Sequence, residues 1–253
     1  MPFSSNVQAA AVQTALMNAA AGQSAWWLDE RAHAGAEHLD AAFVSGYDRK
    51  SGYVASEDVD ALVGHGVGTD SIVVDLGAGT GTFSLAVAAV CRQVIAVDVS
   101  PAMTAVLRRR VDEAGVRNVA VVEAGFLSYQ HDGPPVDAVF TRNALHQLPD
   151  FWKGVALQRI ASLLRPGGVL RLRDLVFDFV PAEAGERIDA WFAGAVEDPA
   201  LGYTRDELAA HVRTEFSTYS WLLDGLLDRT GFDVVERSFR RHAYMTYTAL
   251  RRA

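Results

Sequence analysis

Residues 72–83 read IVVDLGAGTGTF. The apolar run Ile72, Val73 and Val74 has the character of a buried strand, and Phe83-Ser84-Leu85-Ala86-Val87-Ala88 that of the opening turns of a helix. Gly77, Gly79 and Gly81 therefore occupy a strand-to-helix turn. Because glycine has no Cβ, such a turn accepts positive φ and lets a ligand approach the backbone. The dinucleotide fingerprint G-x-G-x-x-G has its third glycine three residues after the second. Here it comes one residue early and Thr82 stands in the fingerprint's place, which disfavours a nicotinamide cofactor. No Gly-Lys-Ser/Thr follows, so the turn is not a P-loop either.

Outward from this turn, strands and helices alternate: strand 72–76, helix 81–91, strand 93–98, helix 101–114, strand 119–123, strand 136–141, helix 151–164 and strand 168–174. That rhythm predicts a doubly wound α/β sheet, mostly parallel and covered on both faces. Ser100 with Pro101 starts the second helix, Gly115 ends it, and Arg165-Pro166-Gly167-Gly168 makes a turn before the next strand. Residues 1–70 show no strand signal and are read as an N-terminal helical cap with an aromatic patch at Trp26, Trp27, Phe43, Tyr47 and Tyr53; residues 71–253 form the α/β domain. Within it, 175–230 is a mostly helical insertion, read as a lid, with a capping box at Thr204-Arg205-Asp206-Glu207. The segments 232–239 and 244–250 are joined by too short a link for a parallel crossover and are expected to pair antiparallel, closing a seven-stranded sheet.

With 23 Lys and Arg against 31 Asp and Glu, the net charge of −8 repels a phosphate backbone, and nucleic acid is a poor partner. Cys91 is the only cysteine, so the chain makes no internal disulfide and a cytoplasmic setting is expected. The alanine-rich N-terminus lacks the charged start of a signal peptide, and no apolar run approaches the ~20 residues of a membrane span. The expectation is a soluble protein, monomer or homodimer. His33 and His38 are five apart, off one helical face, and there is no HExxH or cysteine cluster, so no metal site is predicted.

Asp98 closes the second strand, where a carboxylate can accept both hydroxyls of a ribose. With Asp75-Leu76-Gly77-Ala78-Gly79-Thr80-Gly81, the chain here resembles the class I S-adenosylmethionine-dependent methyltransferases. Asp98-Val99-Ser100-Pro101-Ala102-Met103 is similar to their ribose-binding strand end. The segment 137–146 resembles their fourth-strand motif, and Leu164-Arg165-Pro166-Gly167-Gly168 their turn into strand five. The resemblance implies S-adenosylmethionine as cofactor, S-adenosylhomocysteine as product and a Rossmann-like fold. It assigns cofactor contacts to Tyr47, Asp75, Gly77, Ala78, Gly79, Gly81, Asp98, Val99, Met103, Gly125, Phe126, Arg142 and Asn143. One departure stands out: where the family often has Gly-Asp after strand three, this chain has Ala124-Gly125-Phe126, leaving the adenine amino group to backbone or Gln147.

A sulfonium methyl is already activated, so the enzyme has mainly to align a nucleophile and exclude water. His146, after the fourth strand, is the candidate base, with a packed or cofactor-positioning residue as the alternative. Asp174, ending strand five, reads as an acid-base group or acceptor ligand, or else as a helix cap or partner of Arg173. Trp191, Phe192, Tyr203, Tyr219 and Trp221 line an acceptor cavity or form helix core. The function so implied is methyl transfer to a small organic acceptor through O, N or C. The alternative is a protein of the same fold that binds the cofactor without methylating.

Overall fold

The computed structural model describes residues 25–40, 44 and 46–253. Residues 1–24 of the expected N-terminal cap, and Phe43 of its aromatic patch, lie outside the described residues. The remainder of that segment carries two 3-10 turns, Glu30–His33 and Ala36–Leu39, then α1 (Tyr47–Ser51) and α2 (Ser56–Gly64).

The α/β part begins with β1 (Ile72–Leu76), whose five residues are all buried. Then follow α3 (Thr82–Val87), β2 (Gln93–Asp98), α4 (Pro101–Glu113), β3 (Val119–Glu123), β4 (Val136–Arg142), α5 (Asp150–Leu163) and β5 (Leu164–Phe177). Beyond these lie α6 (Ala184–Phe192), α7 (Arg205–Thr214), β6 (Thr218–Tyr219), α8 (Ser220–Arg229), β7 (Phe232–Arg240) and β8 (Tyr244–Arg251). The sheet order is β3-β2-β1-β4-β5-β8-β7, with β8 antiparallel to both β5 and β7. The seven expected strands are present, and β6 adds a two-residue eighth, parallel to the end of β5.

Both faces of β1 are apolar because both are covered. Val74 and Leu76 pack with Trp152, Leu157 and Ile160 of α5 and Leu223 and Leu227 of α8. Val73, on the other face, packs with Leu62 of α2 and Phe83 and Val87 of α3. β2 and β4 flank β1 on opposite sides, so the winding direction reverses there, and a crevice opens at the carboxyl ends of these strands.

Three boundaries differ from the sequence expectation. The helix expected over 81–91 ends at Val87, and the Asn118 side-chain amide donates to the carbonyls of Ala88 and Cys91 at 2.9 and 3.0 Å, where further helix would have used them. Strand five spans 164–177 rather than 168–174; the Arg165-Pro166-Gly167-Gly168 turn is a bulge inside it, between the pairs Val136–Leu164 and Ala138–Val169. The insertion after residue 175 starts as strand and contains β6, because Val176 and Phe177 continue pairing with Thr218 and Tyr219. None of the described helices is long and apolar enough to cross a membrane.

Candidate active site

The crevice at the switch point is a cleft with about 670 Å³ of empty space. It is lined by Gly77 and Gly79 of the turn after β1, by Asp98, Val99 and Met103 after β2, and by Gly125 and Phe126 after β3. The turn is set by local chemistry: the N–H groups of Gly77 and Ala78 both donate to the carbonyl of Val97, at 2.9 and 3.0 Å. Gly77 has φ of 74°, and a Cβ there would stand 2.4 Å from that of Ala144. Asp98 accepts from the Gly79 N–H through Oδ2 and from the Ser100 N–H through Oδ1, both at 2.8 Å. Burial raises its pKa against these two bonds, and its carboxylate lies along the cleft wall.

A smaller cavity shares Tyr47, Gly77, Gly79 and Arg142 with the cleft and is bordered also by Asp75, Ala78 and Tyr53. Asp75 accepts from Ser84 Oγ at 2.5 Å, and burial pushes its pKa up to about 7. The Arg142 guanidinium lies 4.1 Å above the Tyr53 ring. Of the residues assigned from sequence to the cofactor, all but one line one of these two cavities. Gly81 does not. Its φ of 87° starts α3, and a Cβ would be 1.9 Å from Leu107 Cδ1, so its place is taken up by packing of turn against α4.

The N-terminal segment roofs the cleft. Trp26 and Trp27 pack on Trp152 of α5, with ring centroids 5.8 and 5.1 Å apart, and Ser100 Oγ donates to the His38 carbonyl at 2.6 Å. This docking inserts Glu30, which sequence reading missed. Its carboxylate accepts from the Leu127 N–H at 2.9 Å and from Ser128 Oγ at 2.6 Å, and a Cβ on Gly125 would meet its Cδ at 2.4 Å. Thus the place after β3 where Gly-Asp is absent has a carboxylate from elsewhere in the chain, lining the cleft together with Gln147. Burial raises the Glu30 pKa, while the Ser128 and Leu127 bonds oppose it.

A second cavity, of about 1130 Å³, adjoins the first; Tyr47, His38 and Asn143 border both. Of the aromatic residues singled out in sequence, Trp191 and Tyr203 line it, joined by Tyr244; Phe192, Tyr219 and Trp221 do not. His146, in the 3-10 turn Leu145–Gln147 after β4, reaches it, but Asp174 does not. Asp174, expected as an acid-base group or acceptor ligand, is instead 2% exposed and stands behind His146. Its carboxylate accepts from the His146 ring at Nδ1, from the His146 N–H at 3.1 Å and from the Leu175 N–H at 2.8 Å.

On the cavity side, His146 Nε2 is 2.9 Å from Glu215 Oε2, which also contacts His211 Nδ1. Burial lowers the His146 pKa, but the carboxylates of Asp174 and Glu215 outweigh it and raise the group to about 9. Burial pushes Glu215 the other way, yet the two imidazoles hold it well below the usual carboxylate range. Sequence reading also missed His211 and Glu215. Their i,i+4 spacing at the end of α7 was the available signal, but the third member comes from a distant turn. Contrary to the expectation of no metal-ligating group, His146, His211 and Glu215 bring three potential ligand atoms within 4.8 Å of one another.

Residues 73–168 match the methyltransferase domain family. The chain is 26% identical over 189 residues to an uncharacterised methyltransferase of Geobacillus kaustophilus, covering 74% of this chain and 76% of that one. It is 38% identical over 168 residues to a demethylmenaquinone methyltransferase of Clavibacter sepedonicus, covering 65% of this chain and 66% of the relative. Its fold is similar to that of a magnesium protoporphyrin IX methyltransferase from Synechocystis PCC 6803 solved with bound SAM, at a TM-score of 0.62 and 16% identity over 90% of this chain and all of that one.

Proposed function

Because the chain belongs to the class I S-adenosylmethionine-dependent methyltransferase family, we propose that it methylates a small organic acceptor held in the cavity beside the cofactor cleft. The observation that carries this reading is the junction of the two spaces: Tyr47, His38 and Asn143 border both, so donor and acceptor would lie next to the same three residues. The likeness to a relative named for demethylmenaquinone supports an acceptor of small-molecule size. The lone Cys91 is compatible with a reducing cytoplasm as the setting.

The residues of the cleft fit the cofactor. Gly77 and Gly79 leave room at the turn, Asp98 would accept from the ribose hydroxyls, and Glu30 beside Gly125 would accept from the adenine amino group. Arg142 and Asp75, in the smaller cavity, would pair with the carboxylate and ammonium of the methionine end. When bound, the sulfonium supplies a methyl group already activated for attack. The protein's task is then alignment, which can contribute on the order of 7–11 kcal/mol in well-oriented reactions. His146 and Glu215 would engage the acceptor's ionisable group, with Asp174 as the positioning residue that fixes the His146 ring.

The test is to incubate the protein with methyl-labelled S-adenosylmethionine and a metabolite extract, then fractionate by size. Label in the small-molecule fraction, matched by an equal amount of S-adenosylhomocysteine, is the expected result. Label confined to macromolecules, or S-adenosylhomocysteine binding without any transfer, would end this assignment.

A further inference from the structure

The lining of the second cavity carries a cluster whose composition methyl transfer by itself does not explain. His211 and Glu215 stand one turn apart at the end of α7, and His146 comes from the 3-10 turn after β4. The two elements are clamped together by the backbone: the Phe216 N–H donates to the His146 carbonyl at 2.9 Å, and the buried Lys153 of α5 donates to the Phe216 carbonyl. We propose that His146 Nε2, His211 Nδ1 and the Glu215 carboxylate form a site for one divalent transition-metal cation, open to the acceptor cavity. The proposal goes beyond the methyl-transfer reading and does not depend on it.

Three features argue for a cation rather than a closed hydrogen-bond network. Glu215 Oε2 touches both inner ring nitrogens off the hydrogen-bond direction, while the Gln147 amide nitrogen, 3.1 Å from His146 Nε2, is the contact an ion would displace. Both histidines have their outer nitrogens occupied, His146 Nδ1 by Asp174 and His211 Nε2 by Ser217 Oγ at 2.7 Å. That outer bonding is what orients ligating histidines, because it sets the tautomer that turns the inner lone pair toward a metal. Third, two imidazoles and one carboxylate suit zinc, cobalt, nickel or iron, whereas magnesium and calcium favour oxygen alone. The ligand atoms, now in mutual contact, would spread around an ion at about 2.0–2.2 Å. Three protein ligands leave coordination positions free, and the cavity that the cluster lines, together with Tyr203 and Tyr244, would give an oxygen donor of the acceptor access to them. Among the described residues no second group of this kind is found.

Cobalt(II) titrated into the protein at pH 7.5 reads the site directly. The expected result is one cobalt per chain with the intense visible bands of a four- or five-coordinate centre, displaced by zinc. Only the weak spectrum of the hexaaqua ion would overturn the proposal. His211→Ala and Glu215→Gln are each expected to lower cobalt affinity more than tenfold, since even outer-sphere partners contribute on that order. Unchanged affinity would also overturn it. Both variants should retain S-adenosylhomocysteine binding, which reports their folding because the cluster lies outside the adenosyl cleft. Should either fail to fold, zinc added to the ¹⁵N-histidine-labelled wild-type chain decides: the ring nitrogens of two of the seven histidines should shift, and any other number sinks the assignment.

Discussion

Asp75 and Glu30 show how a side chain's surroundings, more than its identity, set what it can do. Burial raises the Asp75 carboxyl to about 7, so near neutral pH half of the molecules carry it protonated. An ammonium group beside it favours the ionised form. Affinity for S-adenosylhomocysteine should therefore rise with pH, by about tenfold between pH 6 and pH 8, as the binding-competent fraction increases. Calorimetry across that range checks this, and Asp75→Asn should bind more weakly with a flat profile; an equally steep profile in the variant would assign the proton elsewhere. For Glu30 the relevant substitution is Glu30→Gln, which keeps shape and one acceptor but removes the charge. Hydrogen bonds to charged groups contribute about 1 kcal/mol more than neutral ones, so affinity should drop roughly fivefold. Binding of S-inosylhomocysteine, which lacks the amino group, should not drop in parallel; an equal loss would mean that Glu30 acts only by holding Leu127 and Ser128. Asp75 was legible in the sequence because its motif is local. Glu30 was not, because its partner Leu127 is 97 residues away along the chain.

At the scale of elements, α2 is held to β5 by a buried charge cluster as well as by Leu62. Asp58, fully buried, accepts from Arg171 Nε at 3.0 Å, from Arg173 Nη1 at 2.5 Å and from the Tyr53 hydroxyl at 2.8 Å. Asp58→Ala would leave the Arg171 side chain, 7% exposed, without its carboxylate. Removing one member of such a pair costs about 3–5 kcal/mol, far more than the intact pair contributes. Urea denaturation should show that loss, and a change under about 1 kcal/mol would mean water reaches the arginines in the variant. The same element is instructive about legibility. β1 to β4 and α4 were readable because apolar runs and caps act within a few residues. The true extent of β5 was not, because a Pro-Gly-Gly sequence that signals a turn is here a bulge that pairing on either side carries through, and β6 exists only through contact with β5.

Besides Gly125 and Phe126 after β3, three stretches distant in sequence build the cleft: the N-terminal segment with Glu30 and Tyr47, the turns after β1 and β2 with Gly77 and Asp98, and the β4 exit with Arg142 and Asn143. The central stretch follows from the glycine turn and the acidic residue ending the next strand. How the first stretch roofs it depends on Trp26 and Trp27 meeting Trp152, a contact that no periodicity encodes. A ligand in this cleft touches all three, so its binding energy is delivered only to the assembled fold. Binding at one hundred times Kd stabilises the native state by about 2.7 kcal/mol. For a chain of this size, that should raise the thermal midpoint by roughly 5–11 °C, given about 2–4 °C per kcal/mol. S-adenosylhomocysteine should produce this rise in a calorimetric scan. In Asp98→Ala, loss of the ribose hydrogen bonds weakens binding by about 1–3 kcal/mol, so the same ligand concentration should give a clearly smaller rise. An identical rise in the variant would remove Asp98 from the ribose, and no rise in the wild type, with another nucleotide producing one, would show that the cleft is shaped for a different cofactor.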